Sequence, residues 1–201
     1  MNGYIQPSLV EWDGADMSRG TIIFLNGVSS SGKTTLTQAL QDRLPDPYYK
    51  IDSDTFNHMA PRIHRNADFR AITNKSMSAM HHTVALFSDL GLNVIVDHVI
   101  LDTLEGQASL HECVRLLHMY PVLFVRVTCS LEELERREQQ RGNRRRGQAR
   151  SQVDRIHGHG AYDLTVDTSH HTPETCADMI MAALGEPESW RAFRTLYERW
   201  I

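Results

Sequence analysis

Short apolar runs alternate with amphipathic segments along most of this chain. The run from Thr21 to Leu25 is rich in β-branched residues and ends in Asn26-Gly27, which predicts a buried strand that enters a turn. Similar runs predict further strands at 48–51, 93–97, 121–129 and 162–166. Apolar residues that recur three and four positions apart predict helices at 33–44, 71–90, 110–120 and 173–184, with a charged helix from 131.

Strands that alternate with helices predict an α/β fold of three layers, in which a mostly parallel sheet lies between helices on both faces. Residues 21–185 account for this pattern and are interpreted as one domain, preceded by a polar N-terminal extension at 1–20. The tail at 186–201 carries aromatic residues and leucine at helical spacing, which predicts an amphipathic C-terminal helix. We expect this helix to dock on the domain; a helix that binds a partner is the alternative.

The composition narrows the class of protein. With 201 residues, of which 41% are hydrophobic and 23% charged, the chain has the composition of a globular domain. A net charge of −4 disfavours a dedicated nucleic-acid binder, which usually carries a basic surface. The three cysteines are widely spaced and indicate free thiols rather than a disulfide framework. Because neither a signal peptide nor a membrane-spanning stretch is visible, a cytoplasmic protein is expected.

The segment from Gly27 to Thr34, here called the phosphate loop, matches the nucleotide-binding pattern G-x-x-x-x-G-K-[ST] of P-loop proteins. Its glycines allow close approach of the backbone, and the amides between them form an anion site at the start of a helix. ATP and Mg²⁺ are therefore the predicted cofactors, with Lys33 at the β- and γ-phosphates and Thr34 on Mg²⁺. The predicted ATP-binding residues of this segment are Gly27, Val28, Ser29, Ser30, Ser31, Gly32, Lys33, Thr34 and Thr35.

Carboxylates follow two of the predicted strands. Asp52 is predicted to hold a metal-bound water, and Asp54 to orient the acceptor hydroxyl and accept its proton. An N-cap role for Asp54 in the helix that follows is the structural alternative. Asp97 ends another strand and is predicted to organise the metal. His98 and Asp102 come next, and either could line the acceptor pocket, although a lone histidine is more often a satisfied polar residue.

Arginines are concentrated between residues 136 and 155, a segment here called the lid. Glycines flank its densest part, which favours a mobile segment that closes over ATP and supplies guanidinium groups to the transferring phosphate. Arg137 is predicted to bind the nucleotide, and Arg141 and Arg144 are predicted to be catalytic. The alternatives are a solvated helix face paired with glutamates and an RNA-binding patch, which the lack of interleaved aromatic residues disfavours.

A set of stretches between residues 21 and 184 also forms a family pattern. They are Leu25-Asn26-Gly27 with Ser29 to Lys33, Asp54 with Pro61, Ile95 to Asp97, Arg137-Glu138, Arg141 to Arg144, His157, Tyr162-Asp163 and Asp167 to Ser169. Together they resemble the chloramphenicol phosphotransferase-like family of P-loop small-molecule kinases. The resemblance implies phosphate transfer to a hydroxyl of an antibiotic or similar metabolite, with Asp54 as general base and Arg144 as the lid arginine on the phosphate. The paired Asp52 and Asp54 are also similar to the Asp-x-Asp of shikimate-type kinases.

The sequence therefore predicts a P-loop kinase that uses ATP to phosphorylate a hydroxyl of a small molecule, such as chloramphenicol or a related metabolite in antibiotic resistance. A kinase of nucleosides, nucleotides or polynucleotide ends would use the same loop and lid and is the first alternative. The second is a non-catalytic nucleotide-binding regulatory protein. A small hydroxyl compound is the expected partner, with no membrane and no nucleic acid, and a homo-oligomer is left open.

Overall fold

A computed structural model describes residues 18–141 and 147–200, apart from the side chains of Asn66 and Arg141. Arg144 and most of the predicted N-terminal extension lie outside the described residues. Within them, five strands form one sheet. The strands are β1 (Ile22–Asn26), β2 (Tyr48–Asp52), β3 (Asn93–His98), β4 (Val122–Thr128) and β5 (Leu164–Asp167).

The sheet has the strand order β2-β3-β1-β4-β5, and every pair of neighbours is parallel. Parallel strands end at the same edge of a sheet, so the residues that directly follow β1, β2 and β3 lie close together at that edge. In the register, Asp97 pairs with Leu25 of β1 on one side and with Asp52 of β2 on the other. The predicted three-layer α/β fold is confirmed.

Helices cover both faces of the sheet. They are α1 (Lys33–Gln41), α2 (Ser53–Met59), α3 (Arg62–Ala67), α4 (Phe69–Asp89), α5 (Leu104–Leu117), α6 (Leu131–Arg141), α7 (Gln148–Val153), α8 (Pro173–Leu184) and α9 (Ala192–Trp200). α4 begins two residues before the predicted 71, because the Asp68 carboxylate caps it by accepting from the Ala71 N–H. Among the described residues, no helix is both long and apolar enough to cross a membrane.

The side chains of the central strand alternate between two apolar layers. Phe24 packs with residues of α4, α5 and α9, while Leu25 on the other face packs with residues of α1 and α8. All five β1 side chains are inaccessible to solvent. Burial of one such large side chain stabilises a fold by about 1.5–3 kcal/mol, so these layers hold the helices that surround the sheet edge. Cys113 and Cys176 are buried in the two layers as free thiols, as predicted.

A smaller apolar cluster connects the described parts of the lid to the phosphate loop. Val28 packs there with Leu134 of α6, Ala149 of α7 and Ile156. Glu138 is nearly fully buried, and its carboxylate accepts hydrogen bonds from the N–H of Gly147 (3.0 Å) and Ala149 (2.7 Å). The carboxylate thus satisfies amide groups at the start of α7, which otherwise have no intrahelical partner. Both helices are therefore anchored beside the loop.

The tail helix α9 docks on the domain, as expected. Phe193 and Leu196 are buried in the same layer as Phe24. The carboxylate of Asp163 accepts from the N–H of Arg191 (2.7 Å) and Ala192 (2.8 Å), which caps the start of the helix. The helix is shorter than the predicted tail, because a 3₁₀ turn at Pro187–Ser189 precedes it.

We expect Asp163→Ala to lower the free energy of unfolding by about 1–3 kcal/mol, since the carboxylate accepts three backbone N–H groups. Besides the two at α9, the third comes from Phe124 of β4 at 2.8 Å. Urea denaturation followed by circular dichroism measures the change. The matched control is Asp178→Ala, which removes a surface ion pair with Arg43 and should cost less than about 1 kcal/mol. Equal stability of the two variants would contradict the capping role.

Candidate active site

The phosphate loop joins the end of β1 to the start of α1, as the sequence predicts. A Cβ at Gly27 would lie 2.5 Å from the carbonyl oxygen of Val127, so the neighbouring strand β4 requires glycine there. Gly32 has a φ of 89°, a conformation that side chains other than glycine rarely adopt. Ser29, Ser30 and Ser31 are buried. Glycine is thus required at position 27 by the close approach of β4 and at position 32 by the backbone conformation.

Lys33 folds back over the phosphate loop. Its Nζ donates hydrogen bonds to the carbonyl oxygens of Gly27 (2.9 Å) and Val28 (3.0 Å) and lies 3.6 Å from Oδ1 of Asp97. The side chain is only 6% exposed, yet it borders a cavity of about 430 Å³ at the sheet edge. A positive charge held this way is available to an anion that enters the cavity.

Thr34 and Asp97 are brought together by the parallel pairing of β1 with β3. The hydroxyl of Thr34 donates a hydrogen bond of 2.8 Å to Oδ2 of Asp97, and both residues border the same cavity as Lys33. Oxygen ligands suit Mg²⁺, which usually takes one or two from the protein and the rest from water and phosphate. The described residues contain no cluster of three or more His, Cys, Asp or Glu side chains that could hold a metal, and a Mg²⁺ bound mainly by phosphate needs none. The residues present therefore fit Mg²⁺.

Asp52 and Asp54 have different positions. Asp52 caps α2: one carboxylate oxygen accepts from the N–H of Thr55 and the other from its hydroxyl, both at 2.8 Å. The capping role that was the alternative for Asp54 therefore belongs to Asp52, because the helix begins at Ser53 and not at Thr55. Lys50 lies 3.6 Å from Asp52. A metal role for Asp52 stays a prediction and would use the same carboxylate oxygens that now cap the helix.

Asp54 lies where two cavities meet. The first, with Lys33, Thr34 and Asp97, is described above. The second, about 470 Å³ in volume and here called the acceptor cavity, is bordered mainly by α2, α4, α5 and the segment that follows β3. Ser29, Ser53 and Asp54 border both cavities. A ligand in one is therefore adjacent to a ligand in the other, and Asp54 belongs to the wall of both cavities.

Arg137 is the predicted lid arginine that the structure places beside the phosphate loop. Its guanidinium donates to the side-chain oxygen (3.0 Å) and the carbonyl oxygen (2.7 Å) of Thr168, and Nη1 is 3.2 Å from where a Cβ on Gly32 would lie. Its Nε donates to Glu133, which also pairs with Arg136. These two arginines hold the pKa of Glu133 down at about 2.

Two of the other lid arginines match the alternative interpretation of the segment as a solvated helix face. Arg136 and Arg150 pair with Glu133 and Glu135, as expected of a solvated helix face. The side chain of Arg141 and all of Arg144 lie outside the described residues, so their catalytic roles stay predictions. Thr35 borders a third cavity of about 480 Å³, together with Arg137 and residues 168–173. That cavity adjoins the phosphate loop at Gly32.

Two contacts at the loop were not predicted from the sequence. The side-chain oxygen of Gln152 in α7 accepts a hydrogen bond of 2.8 Å from the N–H of Ser29. The hydroxyl of Thr168 donates to the carbonyl oxygen of Ser31 at 2.8 Å. In the sequence, the only signal for these residues is that Thr168 lies within the family pattern at 167–169; Gln152 carries none.

Tyr162 is the centre of a polar network behind the loop. Its hydroxyl accepts from the side-chain amide of Asn26 at 2.7 Å and contacts ring nitrogens of His157 (2.6 Å) and His159 (2.9 Å). The side-chain oxygen of Asn26 accepts from the N–H of Ile100 at 2.9 Å. Burial raises the pKa of Tyr162 and lowers that of His157 to about 3 and that of His159 to about 4. Both histidines are therefore neutral at neutral pH.

His98, the last residue of β3, borders the acceptor cavity, which is one of the two possibilities that the sequence left open for it. It is 4% exposed, and burial lowers its pKa well below the usual value. Asp102 instead ties the segment after β3 to the segment after the lid, because its carboxylate accepts from the N–H of Gly158 at 2.8 Å. It does not border the acceptor cavity among the described residues.

Comparison with known proteins connects this site to one protein family. The sequence model of the family described as "Chloramphenicol phosphotransferase-like protein" matches residues 20–185. Proteins from two strains of Mycobacterium tuberculosis, both named "Putative O-phosphotransferase", are 28% identical over 183 aligned positions, which cover 77% of this chain and 78% of theirs.

Solved structures show the same fold at low identity. The adenosine 5′-phosphosulfate (APS) kinase of Mycobacterium tuberculosis, in complex with AMPPNP and APS, has a TM-score of 0.64 at 18% identity and covers 83% of this chain and 98% of its own. The tunicamycin resistance protein of Deinococcus radiodurans has a TM-score of 0.60 at 17% identity, covering 83% and 96%. Shikimate kinase of Acinetobacter baumannii, in complex with shikimate, has a TM-score of 0.59 at 14% identity, covering 85% and 96%. The predicted P-loop kinase fold is confirmed by this likeness.

We expect the free energy of unfolding to decrease as pH falls from about 6.5 towards about 4. The depressed pKa values of His157 and His159 mean that the unfolded chain binds protons in this range that the folded chain does not, so acid favours unfolding. Urea denaturation at a series of pH values measures the slope.

His157→Asn should flatten this slope, because the variant removes one depressed pKa. Asparagine tolerates the positive φ of 71° at this position and keeps a polar group near Tyr162. His171→Asn, at an exposed histidine, is the control and should leave the slope as in the wild type. An unchanged slope in His157→Asn would contradict the depressed pKa that is assigned to His157 in the folded protein.

Proposed function

The chain belongs to the chloramphenicol phosphotransferase-like family, and on that basis we propose that it is an ATP-dependent kinase that phosphorylates a hydroxyl of a small uncharged molecule. One observation carries the proposal: Asp54 borders both the cavity that contains Lys33, Thr34 and Asp97 and the adjoining acceptor cavity. A carboxylate residue in the wall shared by a phosphate site and a second cavity is suitably located to act as the base for an acceptor hydroxyl.

The residues of the phosphate loop bind and orient the triphosphate in the proposed mechanism. The loop amides donate to phosphate oxygens, and Lys33 exchanges its bonds to two loop carbonyls for contact with the β- and γ-phosphates. Thr34 and Asp97 would hold Mg²⁺, which would supply positive charge to the phosphates. Arg137 adds a guanidinium beside Gly32, and Arg141 and Arg144 are proposed to reach the transferring group.

Asp54 completes the transfer. It accepts the proton of the acceptor hydroxyl as the new bond between that oxygen and the γ-phosphorus forms. The bond from the γ-phosphorus to the bridging oxygen breaks at the same time, and ADP leaves with the electron pair of that bond. Protons and charge therefore balance without a further reactant.

The lining of the acceptor cavity supports an uncharged acceptor. Arg70 is the only arginine among the described residues that border this cavity, and its guanidinium pairs with the carboxylate of Glu105 at 3.2 Å. Apolar side chains such as Phe69, Met77 and Ile100 form much of the remaining wall. An acceptor with a phosphate, sulfate or carboxylate would have to displace Glu105 from Arg70 to gain a cation there. Chloramphenicol and related hydroxylated antibiotics are uncharged or weakly charged and are the first compounds to test; nucleotides and polynucleotide ends fit less well.

Asp54→Asn should leave MgATP binding unchanged and lower kcat for phosphorylated product by about 10²–10⁴-fold, because the amide cannot accept the proton. The substrate is found first by an ATP-consumption screen of hydroxylated antibiotics, sugars and nucleosides, with products identified by mass. Asp42→Asn, at the end of α1, is the control. Full turnover in Asp54→Asn would remove Asp54 as base, and ATP binding without any transfer by the wild type would favour a regulatory protein.

Thr34→Val should raise the Mg²⁺ concentration required for half-maximal activity at least about tenfold, since it removes one oxygen from the proposed metal site while keeping the shape of the side chain. Titration of Mg²⁺ at saturating ATP measures the effect. Thr83→Val, at a helical threonine in α4 whose hydroxyl bonds only its own helix in the described contacts, is the matched control. An unaltered Mg²⁺ requirement would place the metal elsewhere.

A further inference from the structure

One side chain of the lid is bonded directly to the phosphate loop. Gln152, on α7, accepts a hydrogen bond of 2.8 Å from the N–H of Ser29 through its side-chain oxygen. A backbone N–H can only donate, so the oxygen of this carboxamide must face the loop and the NH₂ group is directed elsewhere. The contact therefore fixes the orientation of the amide as well as its position.

The helix that carries Gln152 is held against the loop. Ala149 lies one turn earlier on the same face of α7 and packs in one apolar cluster with Val28, the neighbour of Ser29 in the chain. At the start of the helix, the buried carboxylate of Glu138 accepts from two backbone N–H groups. Because these contacts hold the backbone of α7, the Gln152 side chain is placed before any ligand binds.

The NH₂ group of Gln152 is open to a ligand. Its nitrogen donates no hydrogen bond to another of the described residues, and it is not among the buried side-chain atoms that lack a partner there. An atom that is neither bonded nor buried is accessible from outside the protein. Since Gln152 borders the acceptor cavity, a molecule in that cavity can accept a hydrogen bond from this nitrogen.

This donor lies at the junction of two cavities. Ser29, to which the carboxamide is bonded, borders both the cavity of the phosphate loop and the acceptor cavity, and so does Asp54. The nitrogen and oxygen of a carboxamide belong to one planar group, so the donor is within a few ångströms of the Ser29 amide. A phosphoryl group that moves from a ligand in one cavity to a ligand in the other passes this junction.

A neutral donor suits this position. Charge on phosphoryl oxygens is stabilised best by hydrogen-bond donors that are oriented before the reaction. A lysine or arginine at position 152 would also attract the carboxylate of Asp54 and lower the basicity that the proposed transfer requires. A carboxamide carries no charge, and because its oxygen accepts from Ser29, its NH₂ group is a stronger donor than that of an unbonded amide.

We propose that Gln152 is a further catalytic residue, which donates a hydrogen bond from its NH₂ group to an oxygen of the phosphoryl group during transfer. The inference rests on the proposed kinase function. Gln152 neither releases nor takes up a proton, so the bonds that form and break are those of the transfer described above.

Gln152→Glu should lower kcat at least about tenfold with the acceptor that the screen identifies. The variant keeps an oxygen for the N–H of Ser29 but has no N–H to donate to the phosphoryl group. Gln139→Glu, at an exposed glutamine of α6, makes the same change of charge in the lid and should keep kcat as in the wild type. Thermal unfolding shows that each variant is folded.

MgADP with aluminium fluoride tests the contact without an acceptor, because the fluoride complex takes the place of the transferring phosphoryl group. In ¹⁵N-labelled protein, the side-chain NH₂ signal of Gln152 is assigned by its loss in Gln152→Glu. This signal should shift and show coupling to fluorine when aluminium fluoride joins the MgADP complex. MgADP alone should leave it in place.

Two failures are distinguishable. A wild-type complex that retains aluminium fluoride without coupling to Gln152, or an unchanged kcat in Gln152→Glu, would overturn the role of Gln152 and leave the kinase function standing. A wild type that binds MgADP but never retains aluminium fluoride, and transfers phosphate to no hydroxyl compound, would overturn the kinase function and this inference with it.

Discussion

The parallel pairing of β1 with β3 is the constraint on which the rest of the site depends. Because Asp97 pairs in register with Leu25, its carboxylate reaches Thr34 (2.8 Å) and lies 3.6 Å from the Lys33 amine. A slip of one residue would turn Asp97 to the opposite face, which is filled by apolar side chains of α4 and α5. The buried layers on both faces make that slip costly, so packing far from the site secures the position of its charges.

A second set of contacts joins the regions around the phosphate loop. Asn26, the last residue of β1, bridges the segment after β3 through the N–H of Ile100 and the segment after the lid through Tyr162. Gln152 of α7 reaches the loop itself at Ser29. The described part of the lid that includes Gln152 is thus hydrogen-bonded to the phosphate loop.

The site consists of two adjoining cavities. Family membership rests on residues 20–185, and similar structures share the fold at 14–18% identity. The acceptor cavity is bordered mainly by α2, α4 and α5, whose side chains other than Asp54 can change without altering the proposed phosphate-transfer residues. The ion pair of Arg70 with Glu105 in its lining supports the proposed uncharged acceptor.

The sequence by itself determined the strands, the phosphate loop and the family, because these depend on local residue patterns: β-branched runs, glycines at set spacing and a lysine after the second glycine. It offered Asp54 as the alternative helix cap where the structure has Asp52, because no local pattern distinguishes a helix that starts at Thr55 from one that starts two residues earlier at Ser53. Only the tertiary structure brought Gln152 to Ser29 and Tyr162 to Asn26, across 123 and 136 residues. Such contacts depend on how whole helices pack on the sheet, and no local pattern carries that information.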